Sequence, residues 1–163
     1  YTGGATMACA AAGAKVCHCD AAKGMVQWAG ENRECSGLPE DRVRWIIDDA
    51  LKFVQRDARR GHFDDGILMD PPSYGRGPGG EVWKLENELY GLAKACSEAL
   101  SDDPLFFLIN GYTTGFQASV LGIMIDMTVK PRFGGIITAD EVCLPVTAGG
   151  VLPCGASGRW QRG

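Results

Sequence analysis

The sequence has no long apolar run and no excess of positive charge. Nowhere does it approach the ~20 consecutive apolar residues that a membrane-spanning helix needs, so we expect no membrane partner. The 16 Lys and Arg residues are outweighed by 20 Asp and Glu, and the net charge is −4. This balance excludes a global basic field that would attract nucleic acid. Local basic groups remain, of which the largest is Arg56, Arg59, Arg60 and His62, but groups of this size usually solvate a helix end.

A disulfide framework is also missing. The seven cysteines are an odd number at irregular spacing, and most lie in apolar surroundings, as reduced thiols do. A reducing cytosol is the simplest compartment for such a chain, so we expect a cytoplasmic protein. The segment Cys17-His18-Cys19-Asp20 has the wrong spacing for a zinc knuckle. It fits a strand with the two cysteines on one face and His18 on the other, and we predict no metal site.

What the sequence does contain is an alternation of helical and strand patterns. A length of 163 residues suits one domain with one core, residues 1–163. The predicted helices are 4–12, 21–35, 50–60, 83–100 and 115–127, and the predicted strands are 15–19, 43–47, 65–69, 105–109 and a hairpin of 141–146 with 151–156. This order predicts an α/β fold, a three-layer Rossmann-like arrangement with a mostly parallel sheet and a C-terminal antiparallel hairpin.

The most informative segment follows the third strand. An apolar run at 66–69 is followed by Asp70-Pro71-Pro72-Ser73-Tyr74-Gly75 and a glycine-rich loop that we extend to residue 82. An open α/β sheet places its chemistry at such a strand end. The prolines fix the backbone and remove two N–H donors. We therefore predict outward carbonyls beside one carboxylate and one ring, a site for an amino group or a flat base.

A second candidate site lies at the beginning of the sequence. The Gly3-Gly4 turn enters a helix, and Asp20 ends the next strand, where it could accept hydrogen bonds from two ribose hydroxyls. Asp49 ends the following strand, within reach of an adenine amino group. We expect Asp20, Asp49 and Asp70 to converge at one rim of the sheet. The complete G-x-G-x-x-G pattern is absent, so an ordinary tight turn stays open.

Three functions fit these patterns. A dinucleotide-dependent (NAD-type) oxidoreductase is favoured by the glycine turn and Asp20, whereas the terminal hairpin and the Asp-Pro-Pro strand end speak against it. A non-catalytic fragment that serves as an assembly surface is the second alternative. The third function is methyl transfer, which rests on a family resemblance.

The chain resembles the class I S-adenosylmethionine-dependent methyltransferases, in particular the branch of bacterial large-subunit ribosomal-RNA methyltransferases. The matching stretches are Tyr1-Thr2-Gly3-Gly4-Ala5, Val16–Asp20, Trp28-Ala29 with Asn32, Ile47-Asp48-Asp49-Ala50, residues 70–75 and Leu152-Pro153-Cys154-Gly155. The resemblance implies S-adenosylmethionine as the cofactor and an RNA base as the acceptor. It assigns cofactor binding to Tyr1, Thr2, Gly3, Gly4, Asp20, Asp49 and Ala50, and catalysis to Asp70, Pro71, Pro72 and Tyr74.

Two departures from that family refine the expectation. Relatives that methylate cytosine C5 carry a cysteine just after the fifth strand, but residues 109–114 contain no thiol. We therefore expect direct in-line transfer, with Tyr112 as an undecided residue that could line the acceptor pocket. The family also has a strand before the glycine turn, between the strands that end at Asp20 and Asp70. The sequence begins after it, so we expect a chain truncated at its N-terminus that self-associates through open strand edges.

Overall fold

The computed structural model describes residues 1–76 and 82–163. The helices are α1 Gly4–Ala11, α2 Lys23–Cys35, α3 Ala50–Arg59, α4 Leu85–Glu98, α5 Ala118–Thr128 and α6 Lys130–Phe133. The strands are β1 Val16–Asp20, β2 Val43–Ile47, β3 Gly66–Met69, β4 Tyr74–Arg76, β5 Val82–Lys84, β6 Phe106–Gly111, β7 Ile136–Pro145 and β8 Val151–Gln161. This alternation confirms the predicted α/β class. No helix in the described ranges is long and apolar enough to cross a membrane.

The chain divides into two compact units, Tyr1–Phe53 and Val54–Gly163, which we call unit 1 and unit 2. The prediction of one domain over residues 1–163 stays a prediction. In unit 1, β1 and β2 pair in parallel from Val16↔Val43 to Asp20↔Ile47. Parallel strands bring their carboxyl ends to the same edge of a sheet. The acidic residues that follow β1 and β2 therefore lie at one edge of unit 1.

The Cys17-His18-Cys19 segment forms part of β1, as predicted. His18 is only 8% exposed, its Nδ1 lies 2.8 Å from the hydroxyl oxygen of Thr6, and its ring tilts against Trp45. Cys17 is exposed, so the two sides of the strand differ as the alternation of side chains requires. Among residues 1–76 and 82–163, no group of three or more His, Cys, Asp or Glu side chains could hold a metal ion.

Unit 2 contains a four-stranded sheet in the order β3-β6-β8-β7. The β3–β6 pair is parallel, whereas β8 runs antiparallel to both of its neighbours. The predicted terminal hairpin is therefore confirmed, but its strands are longer than expected and its second strand lies inside the sheet. Trp160, in β8, is fully buried, and its indole nitrogen donates a 2.6 Å hydrogen bond to the carbonyl oxygen of Gly134.

The helices of unit 2 show where apolar periodicity was a reliable guide. On α4 the predicted apolar face is buried throughout: Leu85, Leu89, Leu92, Cys96 and Ala99 are each at most 6% exposed. On α5 the prediction that Val120 and Met127 face inward is wrong, since these side chains are 40% and 59% exposed. Leu121, which was also predicted to face inward, is buried as expected, and so is Ile125, which the sequence did not indicate.

The physical reason for the α5 correction is a glycine on the facing strand. A Cβ at Gly158 would lie 2.7 Å from Leu121 Cβ and 3.0 Å from Ile125 Cδ1, so the bare backbone of β8 receives these two side chains. On α2 the sequence places Trp28 near one face together with Ala29. Ala29 is buried with Val26, whereas Trp28 is 49% exposed.

The segment after Asp70 is not a plain loop. Tyr74–Arg76 and Val82–Lys84 pair as the antiparallel strands β4 and β5, from Tyr74↔Lys84 to Arg76↔Val82. The remaining part of the predicted glycine-rich loop, residues 77–81, lies outside the described residues. Backbone pairing between β4 and β5 explains why the predicted helix at 83–100 begins two residues later, at Leu85. The predicted strand before the glycine turn stays a prediction.

Candidate active site

The glycine turn of unit 1 is fixed against α2. Gly3 adopts the left-handed conformation (φ 87°) at the N-cap of α1, which glycine adopts without steric cost. A Cβ at Gly3 would lie 3.0 Å from Ala29 Cβ. The Asn32 side-chain amide donates a 2.9 Å hydrogen bond to the carbonyl oxygen of Thr2. The matching residues Ala29 and Asn32 therefore position the turn.

Asp20 lies beside this turn at the carboxyl end of β1. Its Oδ2 forms an ion pair at 2.6 Å with the terminal ammonium group of Tyr1, and its Oδ1 accepts a 2.8 Å hydrogen bond from the Ala22 amide. Partial burial pushes the pKa of Asp20 up, but the hydrogen bonds from the Tyr1 ammonium and the Ala22 amide, with the charge of that ammonium, hold the pKa below its ordinary value. Asp20 is therefore an ionised hydrogen-bond acceptor, which is what a ribose hydroxyl pair requires.

Two further acidic residues, Asp48 and Asp49, lie at the same edge as Asp20. The Asp48 amide donates a 3.3 Å hydrogen bond to the carbonyl oxygen of Asp20, which joins the ends of β1 and β2. Asp49 Oδ1 accepts a 2.9 Å hydrogen bond from the Lys52 amide, so Asp49 caps α3 at the helix start, Ala50. This capping role was missed from the sequence, although Asp before the first helical residue is its usual signal. The adenine contact of Asp49 and Ala50 stays a prediction.

Asp70 directly follows β3, whose last residue, Met69, pairs with Ile109 in β6. Although the Asp70 residue is exposed, partial desolvation of its carboxyl group raises the pKa of Asp70. A carboxyl group whose pKa is raised accepts a proton more readily than an ordinary aspartate, so Asp70 is suited to proton transfer.

The backbone after Asp70 differs from the prediction of outward carbonyls. The carbonyl oxygen of Pro72 accepts a 2.7 Å hydrogen bond from the Trp83 indole nitrogen, and that of Ser73 accepts one from the Leu85 amide. Both carbonyls are therefore engaged within unit 2. Trp83 ties the Asp-Pro-Pro segment to the start of α4, a structural role that the sequence predicted for it.

Two exposed tyrosines lie in the segments that follow β3 and β6. Tyr74 in β4 is 50% exposed, and Tyr112, directly after β6, is 52% exposed. The side-chain hydroxyl oxygens of Ser73 and Thr113 lie 2.7 Å apart, which joins the two segments. The pKa of Tyr112 is raised, chiefly by desolvation and further by the negative charge of Asp70. The phenol and the carboxylate are therefore electrostatic neighbours.

A thiol also lies near the end of β6, contrary to the expectation from the sequence. Gly111 pairs with Ala156, and Cys154 precedes that residue by two positions in β8. The sequence shows only that residues 109–114 lack cysteine, whereas the antiparallel pairing brings a distant one alongside. The Cys154 thiol donates a hydrogen bond to the carbonyl oxygen of Val142 at a sulfur–oxygen distance of 3.1 Å.

The structure thus divides the predicted site residues between the two units. Unit 1 brings together Tyr1, Thr2, Gly3, Gly4, Asp20, Asp49 and Ala50, and unit 2 carries Asp70, Pro71, Pro72 and Tyr74. The convergence of all three carboxylates on one ligand stays a prediction, and so do the individual roles. The role of Tyr112, which the sequence left undecided, is not settled by its position after β6.

Comparisons with known proteins relate the chain to methyltransferases. No protein-family model matches it. A methyltransferase of Agrobacterium tumefaciens, described as dependent on S-adenosylmethionine (SAM), is 36% identical with a TM-score of 0.92, and the match covers 100% of this chain and 54% of that one. SMU.776, a provisional methyltransferase solved with SAH, is 20% identical with a TM-score of 0.75, over 98% of this chain and 43% of that one, and shows the fold alone.

Two curated relatives match a shorter stretch. A provisional ribosomal-RNA large-subunit methyltransferase of Methanocaldococcus jannaschii is 34% identical over 74 residues, 45% of this chain and 19% of the relative. Ribosomal RNA large subunit methyltransferase I of Photobacterium profundum is 32% identical over 75 residues, again 45% and 19%. The matched stretch is thus about a fifth of each curated relative. Together with the Rossmann-like fold, these comparisons show that the chain is similar to S-adenosylmethionine-dependent methyltransferases and, over 45% of its length, to large-subunit ribosomal-RNA methyltransferases.

Proposed function

We propose that the chain binds S-adenosylmethionine and directs its methyl group to an RNA base by in-line displacement. The observation that carries this proposal is the edge of unit 1, where the glycine turn, the ionised Asp20 and the acidic end of β2 lie together. The carboxylates of Asp20, Asp48 and Asp49 are hydrogen-bond acceptors, and they fit a nucleoside with a ribose diol and an amino-bearing base. The 36% identical Agrobacterium protein supports methyl transfer over hydride transfer.

In unit 1, each residue would contribute to holding the cofactor. The backbone of Tyr1, Thr2, Gly3 and Gly4 would lie along its amino-acid part. Asp20 would accept hydrogen bonds from the ribose hydroxyls, because its low pKa keeps it ionised at neutral pH. Asp49 would accept from the adenine amino group with the carboxylate oxygen that does not cap α3, beside the backbone of Ala50.

In unit 2, Asp70 would act on the methyl acceptor. Bound S-adenosylmethionine supplies a sulfonium methyl group with a good leaving group, so the protein mainly aligns the acceptor and excludes water. Asp70 would accept a hydrogen bond from an acceptor amino group and take its proton as transfer completes. Pro71 and Pro72 would hold the carboxylate at the strand end, and Tyr74 would form one wall.

Direct transfer is supported by the absence of cysteine from residues 109–114. The Cys154 thiol, near the end of β6, is engaged with the Val142 carbonyl oxygen. We also propose a cytoplasmic location, since no cysteine within residues 1–76 and 82–163 is joined in a disulfide. Self-association through open strand edges stays a prediction, which light scattering of the purified protein would test.

The experiment is transfer of tritiated methyl groups from S-adenosylmethionine to total RNA, protein and small-molecule fractions by the full-length gene product. We expect label in the RNA fraction and micromolar binding of S-adenosylhomocysteine by calorimetry. Asp20→Ala should abolish that binding, whereas the matched control Asp41→Ala, an exposed carboxylate of the same unit, should retain it. Binding of NAD instead, or equal binding by the Asp20 and Asp41 variants, would refute the proposal.

A further inference from the structure

Tyr112 occupies a distinctive place in unit 2. It directly follows β6, which lies between β3 and β8, and its side chain is half exposed. Asp70 directly follows β3. The last residue pair between β3 and β6 is Met69↔Ile109, and Asp70 and Tyr112 come one and three residues after it. An aromatic ring and a carboxylate thus follow the ends of adjacent parallel strands.

One side of the Tyr112 ring packs where Gly155 lacks a side chain. A Cβ at Gly155 would lie 2.6 Å from Tyr112 Cδ1 and 3.0 Å from Cε1. Gly155 does not adopt a positive φ, so its backbone conformation does not require glycine. A side chain is excluded there by the Tyr112 ring, which packs on the bare backbone of β8, and also by the Gly111 carbonyl oxygen, which a Cβ would approach to 2.8 Å. Gly155 is therefore a support for the ring rather than a turn residue.

The surroundings of the ring point to the kind of ligand it would take. The ring lies near the Asp70 carboxylate, whose charge contributes to the raised Tyr112 pKa. The Ser73–Thr113 hydrogen bond joins the segments that carry Asp70 and Tyr112. A half-exposed ring attracts a flat partner, and a neighbouring carboxylate accepts from an amino group but repels phosphate.

We propose that Tyr112, supported by Gly155, is the stacking platform for the acceptor base, and that Asp70 beside it selects a base that carries an exocyclic amino group. This inference rests on the proposed function and narrows its acceptor to adenine, cytosine or guanine. Uracil offers the Asp70 carboxylate no amino donor and would be the poorest ligand.

Methyl transfer to large-subunit ribosomal RNA transcribed in vitro tests the platform in the full-length gene product. Tyr112→Ala should raise the KM for RNA about tenfold, the effect of losing one base–aromatic stack, whereas Tyr112→Phe keeps the ring and should stay within about twofold of the wild type. Gly155→Ala should resemble Tyr112→Ala, because its Cβ displaces the ring. The matched control Tyr90→Ala, an exposed tyrosine on α4, should leave KM unchanged, and all variants should bind S-adenosylhomocysteine equally.

A Tyr112→Ala variant with wild-type KM, or a Tyr112→Phe variant as impaired as Tyr112→Ala, would overturn the platform.

A second measurement separates this inference from the proposed function. If the wild-type protein methylates no RNA, the proposed function fails, and the platform is then tested by saturation-transfer NMR with adenosine, cytidine, guanosine and uridine. The platform predicts the weakest signal for uridine and loss of the other three signals in Tyr112→Ala. Equal signals from both proteins, or no nucleoside signal from the wild type, would overturn it.

Discussion

Ser73 and Thr113 lie 40 positions apart in the sequence, yet their side-chain hydroxyl oxygens are joined by a 2.7 Å hydrogen bond. The bond connects the segment after β3 with the segment after β6, and these segments carry Asp70 and Tyr112. We predict that Ser73→Ala and Thr113→Ala are coupled in a double-mutant cycle by about 0.5–1 kcal/mol of unfolding free energy. This coupling energy is at the low end of the range for one hydrogen bond because the bond is exposed to solvent. Urea unfolding of the two single variants and the double variant measures it. Additive effects would show that the bond does not join the segments in solution.

Asp70→Asn keeps the shape of the side chain and removes its ability to accept a proton. We predict a loss in kcat of about 100-fold with unchanged affinity for S-adenosylhomocysteine, the size typical of a lost general base. Because the pKa of Asp70 is raised, wild-type activity should rise with pH as the carboxyl group ionises, and the residual activity of the variant should lack that rise. The matched control Asp102→Asn removes a fully exposed carboxylate of the same unit and should behave as wild type. Loss of binding in Asp70→Asn would mean that this residue serves the cofactor.

Cys154→Ala tests whether transfer is direct. The thiol lies near the end of β6 but donates a hydrogen bond to the Val142 carbonyl oxygen. We predict that the variant retains kcat within about threefold, since no covalent bond to this sulfur is required. Rapid quenching followed by mass spectrometry of the wild-type protein should detect no RNA–protein adduct. An inactive but folded Cys154→Ala protein would establish covalent catalysis instead.

Gly3→Ala should be destabilising for two reasons. The left-handed φ of 87° strains any residue with a Cβ by about 1–2 kcal/mol, and that Cβ would lie 3.0 Å from Ala29 Cβ. We therefore predict a loss of about 2 kcal/mol or more in unfolding free energy, together with weaker binding of S-adenosylhomocysteine. The neighbouring Gly4→Ala is the control, because a Cβ there meets nothing within 4 Å. Equal effects of the two substitutions in urea unfolding would contradict this account.

Buried His18 predicts a pH dependence of stability. Burial lowers the pKa of His18 from its ordinary value of 6.5, so the unfolded chain binds this proton more tightly than the folded protein does. Stability rises with pH wherever the unfolded state holds more protons, so the contribution of neutral His18 is complete above about pH 6.5 and is lost as pH falls towards the lowered folded pKa.

Urea midpoints between about pH 5 and pH 7.5 measure this effect, since a histidine titrates in that range. His18→Gln should flatten the pH dependence. His62→Gln should not, because the His62 side chain is 64% exposed. Identical slopes for the two variants would exclude His18 as the cause.

The sequence predicted the features that depend on local chemistry. The heptad-like spacing on α4 identified its buried face, and the positions of Asp20, Asp49 and Asp70 at or just beyond strand ends followed from short apolar runs. These features depend on residues that are neighbours along the chain, so periodicity and turn residues suffice.

What the sequence did not predict depends on residues that meet across the fold. The buried face of α5 is set by Gly158 on β8, and the thiol near the end of β6 comes from the hairpin. The β4–β5 pair was missed because three-residue strands carry almost no periodic signal. In each case the deciding partner lies on another element, which propensity along one segment does not report.

The position of β8 between β6 and β7 also has a consequence for synthesis. Translation produces β3, β6 and β7 first. Strand β8, residues 151–161, must leave the ribosome before it can pair between β6 and β7. During that interval β6 shows a bare row of amides and carbonyls, a target for chaperones and for premature pairing between nascent chains.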